Sequence, residues 1–515
     1  LALSLLVHRA QFFPCYKRKA SVEHAVETSY PPRTDEEWLN AKEYDSLPGP
    51  SKLGMLSFFL PGGELHNANL IEMNRILRRR YGDIYRLQGW MGKPDMVFTY
   101  NAKDIETTYR NEGLWPIRLG LETFTYYRQV KRPDVFGGIG GLVSDQGKSW
   151  AYIRNKVNPI LMKVQNVSLV IPLTVSRFSR LDQLRDPSTG VLKSCFHEEL
   201  KMWAFESISY IALNTRMGLM TDNPDPNARR LADNMTQFFQ FSYEYDVLPS
   251  FWKYIETPGF KRLMNTYENI TEITSNYIEA AMEKFKAEGN QEAKSVLEKL
   301  CRVDKQIAVV MAMDMLMAGI DTTSSAFITI LYLIAKNPEK QEALRQEIKS
   351  IMPEKDTPLT QANTNNMPYL RACIKEALRI TPITPGNFRI AGRDLVLSGY
   401  KIPKGTGVLM AVMELANNEK YFLHSAEFLP ERWLKVGPSA CPAAKATNPF
   451  VYLPFGFGPR TCIGKRIAEM EIETLIAKII RNYRVTWQSS KDLRYISNLI
   501  LVPTGDINFK FEDVD

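Results

Sequence analysis

Cys462 lies between a loop rich in glycine and proline and a long segment with helical periodicity, and residues 454–464 read PFGFGPRTCIG. The start of a helix stabilises a thiolate, so this cysteine is suited to bind a metal. Gly458 and Gly464 would let backbone N–H groups approach the sulfur, and hydrogen bonds to a metal-bound sulfur tune the metal. Arg460 can neutralise an anionic group beside the ligand. The alternative, a buried structural cysteine, is the usual role of an isolated free thiol.

A second stretch suited to chemistry lies inside a long apolar helix pattern, where residues 318–323 read AGIDTT. Glycine and β-branched residues are poor helix formers, so their place in the middle of such a helix needs a reason. The Thr322 hydroxyl can bond the carbonyl of Ala318, four residues back, and loosen the helix there. The resulting groove would hold water and O2, and Asp321 would relay protons. A local irregularity of packing is the alternative.

Two pairs of residues have helical spacing. Glu376 and Arg379 are three residues apart and can form an ion pair, although an exposed pair of this kind contributes less than about 1 kcal/mol. Trp150 and Arg154 are four apart on one helix face, and an indole N–H and a guanidinium can both bind a carboxylate. A surface packing pair is the alternative for the second pair.

Helical periodicity covers most of the chain around these residues. Helices are predicted at Asn67–Arg80, Val143–Lys163, Glu198–Leu213, Arg229–Phe241, Phe260–Ala287, Lys305–Lys336, Glu339–Ile351, Met367–Ile380 and Ile463–Tyr483. Short strands are predicted at Ile84–Trp90, Asp95–Tyr100, Phe388–Ile390, Asp394–Leu397 and Gly407–Met410. Leu114–Gly147 has no clear period and is predicted to be a long loop. The expected fold is mainly α with a smaller, segregated β region.

The composition is that of an ordinary globular protein, with 44% hydrophobic and 24% charged residues in 515. A formal net charge of +8 is mild for this length and does not by itself indicate nucleic acid. The six cysteines form no C-x-x-C pair, which favours a reducing compartment over a disulfide scaffold. The five histidines lack the spacing of a zinc site.

The N-terminus favours a mitochondrial transit peptide. Residues 1–22 contain no acid but include Arg9, Lys17, Arg18 and Lys19, and their apolar stretch is too short to span a bilayer. A disordered basic tail is the alternative. The predicted organisation is a transit peptide over residues 1–30, a linker with a proline-rich turn over 31–50, and one catalytic domain over 51–515.

The pattern Phe455-x-x-Gly458-x-Arg460-x-Cys462-x-Gly464 resembles the haem-binding signature of the cytochromes P450. Segments 318–322, 376–379 and 430–433 resemble further elements of that family. The resemblance implies the cytochrome P450 fold, a single large domain enclosing haem b, and Cys462 as the axial thiolate ligand. It further implies that one atom of O2 is inserted into an apolar organic substrate.

The resemblance also implies a role for each matching residue. Thr322 would steer protons to the distal oxygen, and Asp321 would connect that site to solvent. The remaining matches would hold the haem through the cysteine loop (Phe455, Gly458, Arg460, Gly464), contact its propionates (Trp150, Arg154, Arg389) or form a structural charge cluster behind the loop (Glu376, Arg379, Arg432).

Four bases, Arg371, Lys375, Lys465 and Arg466, resemble those with which mitochondrial family members dock an acidic ferredoxin, itself reduced by an NADPH-dependent reductase. A generic basic helix face is the alternative. The likeness is greatest to an insect mitochondrial group whose members mostly oxidise foreign compounds, such as insecticides and plant toxins. An ecdysteroid-type steroid hydroxylase remains open, because both groups share these motifs. The implied location is the matrix side of the inner mitochondrial membrane.

Substrate specificity is expected from apolar walls, namely the loop Leu114–Val143 and the helix near Met313, Met317 and Ala318. An apolar cluster is expected to touch the membrane surface peripherally, or to line the core or the substrate access route: Leu248, Pro249, Phe251, Trp252 and Tyr254. Two rival functions stay open, an oxygen-independent haem-thiolate isomerase and a non-enzymatic haem-binding protein. The intact 318–322 segment and cysteine loop disfavour the first, and a mere haem binder would need no proton relay.

Overall fold

The computed structural model describes residues 33–514 apart from residues 67, 90–92, 119, 163–180, 193–194, 222–224, 249, 288, 290–292, 294, 356, 358–359, 361–362, 364–365 and 435–447. The predicted transit peptide, residues 1–30, lies outside the described residues. The described part is mainly helical with a smaller β region, as the sequence predicts.

The helices are numbered in chain order, and some consecutive helices are separated by long stretches of chain. In chain order they are α1 (Glu36–Asn40), α2 (Lys52–Phe59), α3 (Leu70–Tyr81), α4 (Ala102–Arg110), α5 (Glu122–Tyr126), α6 (Pro133–Phe136), α7 (Gly141–Ser144), α8 (Gly147–Leu161), α9 (Phe196–Leu213), α10 (Pro226–Ser242), α11 (Pro258–Ala287), α12 (Val296–Cys301), α13 (Lys305–Lys336), α14 (Pro338–Ile351), α15 (Pro368–Ile380), α16 (Val412–Ala416) and α17 (Lys465–Asn482). Two π-helical turns, Tyr127–Lys131 and Tyr243–Val247, follow α5 and α10.

The strands are short and lie in separate small sheets. They are β1 (Ile84–Leu87), β2 (Met96–Thr99), β3 (Asn387–Ile390), β4 (Leu395–Leu397), β5 (Tyr400–Ile402), β6 (Gly407–Met410), β7 (Tyr483–Trp487), β8 (Arg494–Ser497), β9 (Leu501–Thr504) and β10 (Phe509–Asp513). The largest sheet has the order β1-β2-β6-β3, in which only the β2–β6 pair is parallel. Arg389 lies on the edge strand β3, opposite Val408 on β6, so this sheet positions it.

Helix α13 forms the centre of the fold and packs against α9, α11, α12, α14, α15 and α17. It is apolar on almost every side, as expected of a helix surrounded by others. The Asp304 carboxylate caps it by accepting a hydrogen bond from the Ile307 N–H at 3.1 Å. Of the described helices, it alone is long and apolar enough to cross a membrane, but most of that stretch is buried inside the protein.

The predicted long loop over Leu114–Gly147 is wrong, because this segment contains α5, a π-helical turn, α6 and α7. These elements are four or five residues long, too short for a 3.6-residue period to emerge from the sequence. The predicted helix Val143–Lys163 is also interrupted. The Asp145 carboxylate accepts hydrogen bonds from the Gly140 and Gly141 N–H groups, which separates α7 from α8.

Within the predicted apolar cluster, Trp252 takes the core alternative, because its side chain is buried and stacks on Phe260 with ring centroids 5.3 Å apart. Phe251 and Tyr254 are exposed, with Ile255 beside them. Pro249 lies outside the described residues. One member of the apolar run therefore anchors the turn while its neighbours face outward.

Candidate active site

Glycines shape the loop that presents Cys462. Gly458 has φ +72°, a left-handed conformation that disfavours other residues, and a Cβ there would lie 2.3 Å from Oε1 of Glu112. The Cys462 N–H donates to the carbonyl of Phe455 at 2.9 Å, which closes the loop. The structure gives Gly458 a further reason to be glycine, namely its close approach to Glu112, and the Gly464 N–H bonds the Cys462 sulfur as the sequence predicts.

Opposing influences act on the Cys462 thiol. Burial raises its pKa, whereas hydrogen bonds from the Gly464 and Lys465 N–H groups and the charges of Arg154 and Arg118 lower it. The side chain nevertheless has accessible surface. A thiol that is deep among protein atoms and still accessible must face an interior space. This position suits a sulfur that ligates a bound group, since backbone donors and cations both favour the thiolate.

Helix α13 has accessible surface within the core at Ala318, Gly319 and Thr322. The Thr322 hydroxyl donates to the Ala318 carbonyl at 2.7 Å, which is the bond the sequence predicts. Gly319 has a separate reason, because a Cβ there would lie 2.8 Å from Cγ1 of Ile208 on α9. Glycine thus lets α9 and α13 approach closely, while Thr322 faces open space.

Asp321 is buried, and one of its carboxylate oxygens has no hydrogen-bond partner. Its other oxygen lies 3.8 Å from Nζ of Lys201, a largely buried lysine of α9 that the sequence analysis missed. Burial raises the pKa of Asp321 and the Lys201 charge lowers it. Lys201 also lies 3.3 Å from Glu198, which is more than half exposed. A line of ionisable groups therefore leads from solvent to the 318–322 segment.

A second interior carboxylate, Glu471 on α17, was also missed. It accepts hydrogen bonds from the hydroxyls of Ser207 at 2.5 Å and Thr323 at 3.4 Å. None of the described cations contributes to the electrostatics of this carboxyl, and burial raises its pKa to about 7. A glutamate nine residues after the cysteine carries no signal in the sequence, because only the contact between α13 and α17 places it beside Thr323.

Guanidinium groups surround the cysteine loop. The Arg460 side chain lies over the Trp150 ring at 4.0 Å and donates to the carbonyls of Pro116 and Asp145 at 3.0 and 2.9 Å. Arg154 donates to the Thr461 carbonyl at 2.8 Å. Trp150 and Arg154 thus lie together at the loop, on the helix face the sequence predicts.

The same cluster contains Arg389 and Arg118, the second of which the sequence analysis missed. Arg389 donates to Glu112 at 2.5 Å and to the carbonyl of Phe457 at 3.2 Å. Burial, then the neighbouring Arg118, Arg389 and Arg154, lower the pKa of Arg460 to about 8. Burial also lowers the pKa of Arg118 to about 10, helped by Arg389. So many buried cations near one another require anionic partners.

These features fit haem. Its two propionate carboxylates would balance the surplus guanidinium charge, and the accessible surfaces of Cys462 and of α13 at Ala318 and Thr322 offer an interior space for an apolar macrocycle. The residues that would hold it are Cys462 at the metal and Trp150, Arg154, Arg389, Arg460 and Arg118 at the carboxylates. The buried, unpartnered Nε of Arg154 is a donor that such a carboxylate would satisfy.

Glu376 lies at the centre of a buried charge cluster behind the cysteine loop. Its two oxygens accept hydrogen bonds from Arg379 at 2.9 and 3.0 Å, from Arg432 at 2.9 Å and from the Trp433 indole at 2.8 Å. Glu376 and Arg379 are fully buried. The two arginines also donate to backbone carbonyls of residues 416–425, so the cluster fixes a loop that has little regular structure of its own.

The four bases with a predicted docking role lie around one carboxylate on α17. Burial raises the pKa of Glu469, and the charges of Lys465, Lys375, Arg371 and Arg466 each lower it. The structure therefore brings two bases from α15 and two from the start of α17 onto one face.

A family model for cytochrome P450 matches residues 48–511. The chain belongs to the cytochrome P450 family. It is 61% identical to cytochrome P450 12b1, mitochondrial, of Drosophila acanthoptera, over 92% of this chain and 91% of that protein. It is 61% identical to the probable cytochrome P450 12b2, mitochondrial, of Drosophila melanogaster over 94% and 92%. Its identity to cytochrome P450 CYP12A2 of Musca domestica is 46% over 93% of each.

Membership of this family confirms the predicted fold class, the monooxygenase activity and haem bound through a cysteine thiolate. The names of these relatives place the chain in the insect mitochondrial branch, which confirms the predicted mitochondrial localisation. The buried guanidinium cluster and the accessible Cys462 thiol now have a common explanation, because a cytochrome P450 needs both a ligand for iron and partners for two propionates.

Proposed function

We propose that Cys462 ligates the haem iron and that this cytochrome P450 oxidises structurally varied foreign compounds, such as insecticides and plant toxins. Haem supplies, when bound, the activation of O2 that puts one oxygen atom into the substrate. The observation that carries the substrate class is the pair of methionines Met313 and Met317, which lie one turn apart on α13, on one face of the helix, directly before the 318–322 segment. Methionine is flexible and polarisable, and surfaces rich in it repack around different ligands.

A spectral titration of the purified ferric holoprotein tests the substrate class. One panel holds insecticides and plant toxins, and the other holds precursors of moulting steroids. An apolar substrate that displaces water from the iron changes the spin state and hence the absorption spectrum. Weak changes with many unrelated compounds support the proposal. A tight response to one steroid alone would overturn it in favour of an ecdysteroid-type hydroxylase.

The assignment of Cys462 rests on its backbone donors and on the guanidinium groups beside it. Cys462→Ser is expected to abolish the absorption band that a thiolate-ligated haem gives with carbon monoxide. Cys301→Ser, a matched change at a half-buried thiol of α12, should keep that band. A normal band in the Cys462 variant would show that another group ligates the iron.

Thr322 and Asp321 are proposed to deliver protons at the 318–322 segment. The Thr322 hydroxyl holds a proton at the accessible face of α13, and Asp321, through Lys201 and Glu198, connects that face to solvent. Thr322→Val keeps the shape but loses the hydroxyl, so we expect more consumed O2 to appear as hydrogen peroxide and less as product. Thr322→Ser should restore most of the product. Unchanged behaviour of both variants would show that the Thr322 hydroxyl does not deliver the proton.

Electrons are proposed to arrive from a mitochondrial ferredoxin, supplied by its NADPH-dependent reductase, at the face formed by Arg371, Lys375, Lys465 and Arg466. Opposite charge steers such an encounter and makes its rate sensitive to salt. Lys375→Glu should slow ferredoxin-dependent reduction most at low salt, because this lysine is exposed. Lys103→Glu, an exposed change of the same kind on α4, is the control. Equal effects of both changes would place the docking face elsewhere.

A peripheral contact with the matrix side of the inner mitochondrial membrane is proposed through the turn that precedes α11. Phe251, Tyr254 and Ile255 are 55%, 59% and 47% exposed, which is unusual for three large apolar residues within five positions. Changing all three to serine should reduce binding to vesicles that contain anionic lipid while the haem spectrum stays unchanged. Full retention of vesicle binding would argue against this turn.

A further inference from the structure

Arg128 and Asp314 form an ion pair inside the protein. Nη2 of Arg128 lies 2.7 Å from Oδ1 of Asp314, and both side chains are buried. Arg128 belongs to the π-helical turn after α5, and Asp314 lies on α13 one turn before Ala318. Placing two charges in the interior is costly unless their partners are well arranged, so such a pair needs a specific structural reason.

Arg128 contacts several elements of the segment Leu114–Gly147, which the sequence predicts to be a loop. Its Nη1 donates to the carbonyl of Gly140 at 2.7 Å. Its guanidinium lies over the rings of Phe124 on α5 and Phe136 on α6, at 4.0 and 4.7 Å. Cation–π contacts of a desolvated arginine are stronger than those of an exposed one. One side chain therefore ties α5, α6 and the chain before α7 together.

Asp314 holds the same backbone from the side of α13. Its second oxygen, Oδ2, accepts a hydrogen bond from the Leu142 N–H at 3.2 Å. A Cβ at Gly141 would lie 2.4 Å from Oδ2 and 2.7 Å from Nη1 of Arg128, and this glycine has φ +85°. Only glycine fits here. The backbone of segment 140–142 is thus held against α13 one turn before Ala318.

The backbone held by this pair is also bound to the cysteine loop. The Asp145 carboxylate accepts from the Gly140 and Gly141 N–H groups, and the Asp145 carbonyl accepts from Arg460 at 2.9 Å. A shift of segment 140–142 would therefore change the space between α13 and the haem-binding loop. Interior packing passes on such shifts because it contains few voids.

We propose that Arg128 and Asp314 are positioning residues for substrate specificity, which fix the segment of α5 to α7 as the wall of the substrate space beside Ala318. This inference rests on the proposed function, since it presupposes haem at Cys462. Neither residue touches the substrate, because both are buried beneath this wall. They act by holding its backbone.

The test compares two imidazole ligands of the ferric holoprotein, because imidazole nitrogen binds haem iron whatever the natural substrate is. Imidazole itself is small and contacts little besides the iron. An imidazole that carries a bulky triarylmethyl group must also fit against the wall formed by α5 to α7. The variants are Asp314→Asn, which keeps an acceptor for Leu142, and the double change Arg128→Met with Asp314→Asn. The double variant leaves no unpaired buried charge, so it is expected to fold even where a single change fails. Arg110→Met with Glu106→Gln removes an exposed ion pair as the control.

We expect the dissociation constant of the bulky ligand to rise about tenfold in the double variant, while that of imidazole changes less than about twofold. An unchanged constant for the bulky ligand would overturn the inference, as would equal weakening of both ligands or loss of haem from the double variant. A parent protein that shows no thiolate-type haem band would instead refute the proposed function. The two failures are therefore distinguishable.

Discussion

Glu471 offers the sharpest test of the interior electrostatics. Its carboxyl is buried between α9, α13 and α17 and bonded only to two hydroxyls. Glu471→Gln keeps the size of the side chain and its ability to accept from Ser207 and Thr323, but removes the possibility of a charge. We expect this change to stabilise the protein at alkaline pH and to have little effect at acid pH.

The expected magnitude follows from the pKa of this group. Burial raises the pKa of Glu471 from 4.5 to about 7, and each tenfold change in proton affinity corresponds to about 1.4 kcal/mol. The folded protein therefore binds this proton more tightly than the unfolded chain does. Stability falls as the pH rises from 4.5 and reaches its full loss, roughly 3 kcal/mol, above about pH 7. Glutamine escapes this loss because it has no proton to release.

The assay is chemical denaturation of the holoprotein at about pH 5 and about pH 8, followed by the haem absorption band. The difference in the free energy of unfolding between variant and parent at each pH reports on Glu471 alone, since the other titrating groups are common to both. Glu339→Gln, an exposed change of the same kind on α14, should have no effect at either pH. A Glu471 variant that is equally stable relative to the parent at both pH values, or less stable at about pH 8, would refute the reasoning.

Three further predictions concern the support of the site. Gly458→Ala should reduce haem content strongly, because its Cβ would meet Glu112 and its φ is +72°; haem per mole of protein measures it, and full occupancy would contradict it. Glu376→Gln should destabilise the protein by about 3–5 kcal/mol, since it leaves buried arginines without their carboxylate; denaturation measures this, and a loss below about 1 kcal/mol would contradict it. Lys201→Met removes the charge that lowers the pKa of Asp321, so the acid limb of the turnover profile should move to higher pH, and an unmoved limb would show that Asp321 does not govern it.

The long helices could be predicted from the sequence because each has an apolar face or an apolar body. Lys305–Lys336 is found with the bounds that its pattern indicates, since Asp304 caps it and Asn337-Pro338 ends it. The predicted Glu198–Leu213 in fact starts at Phe196, because the residue before it, Cys195, makes no side-chain capping hydrogen bond and gives no start signal in the sequence. The β-strands from Tyr483 onward were missed, because their short alternating runs resemble loops when their partners are unknown.

The residues of the candidate site also fall into two groups, those that the sequence could identify and those that it could not. Residues in dense local motifs, such as those around Cys462 and Thr322, could be named because type and spacing occur together within a few positions. Arg118, Lys201 and Glu471 could not, because each is an ordinary charged residue until the fold brings it to the site. Burial then changes the pKa of two of them, since it lowers that of Arg118 and raises that of Glu471.

Charge balance connects these observations. The cysteine loop collects guanidinium groups that repel one another, and burial already disfavours their charge. A loop with fewer buried cations would be more stable without haem. Such a loop would lack the partners that the propionates need. Binding of haem to the folded state alone adds stability in proportion to the logarithm of its concentration over its dissociation constant. If these cations pair with the propionates as proposed, the cations that destabilise the loop alone would also be the ones that couple its stability to haem binding.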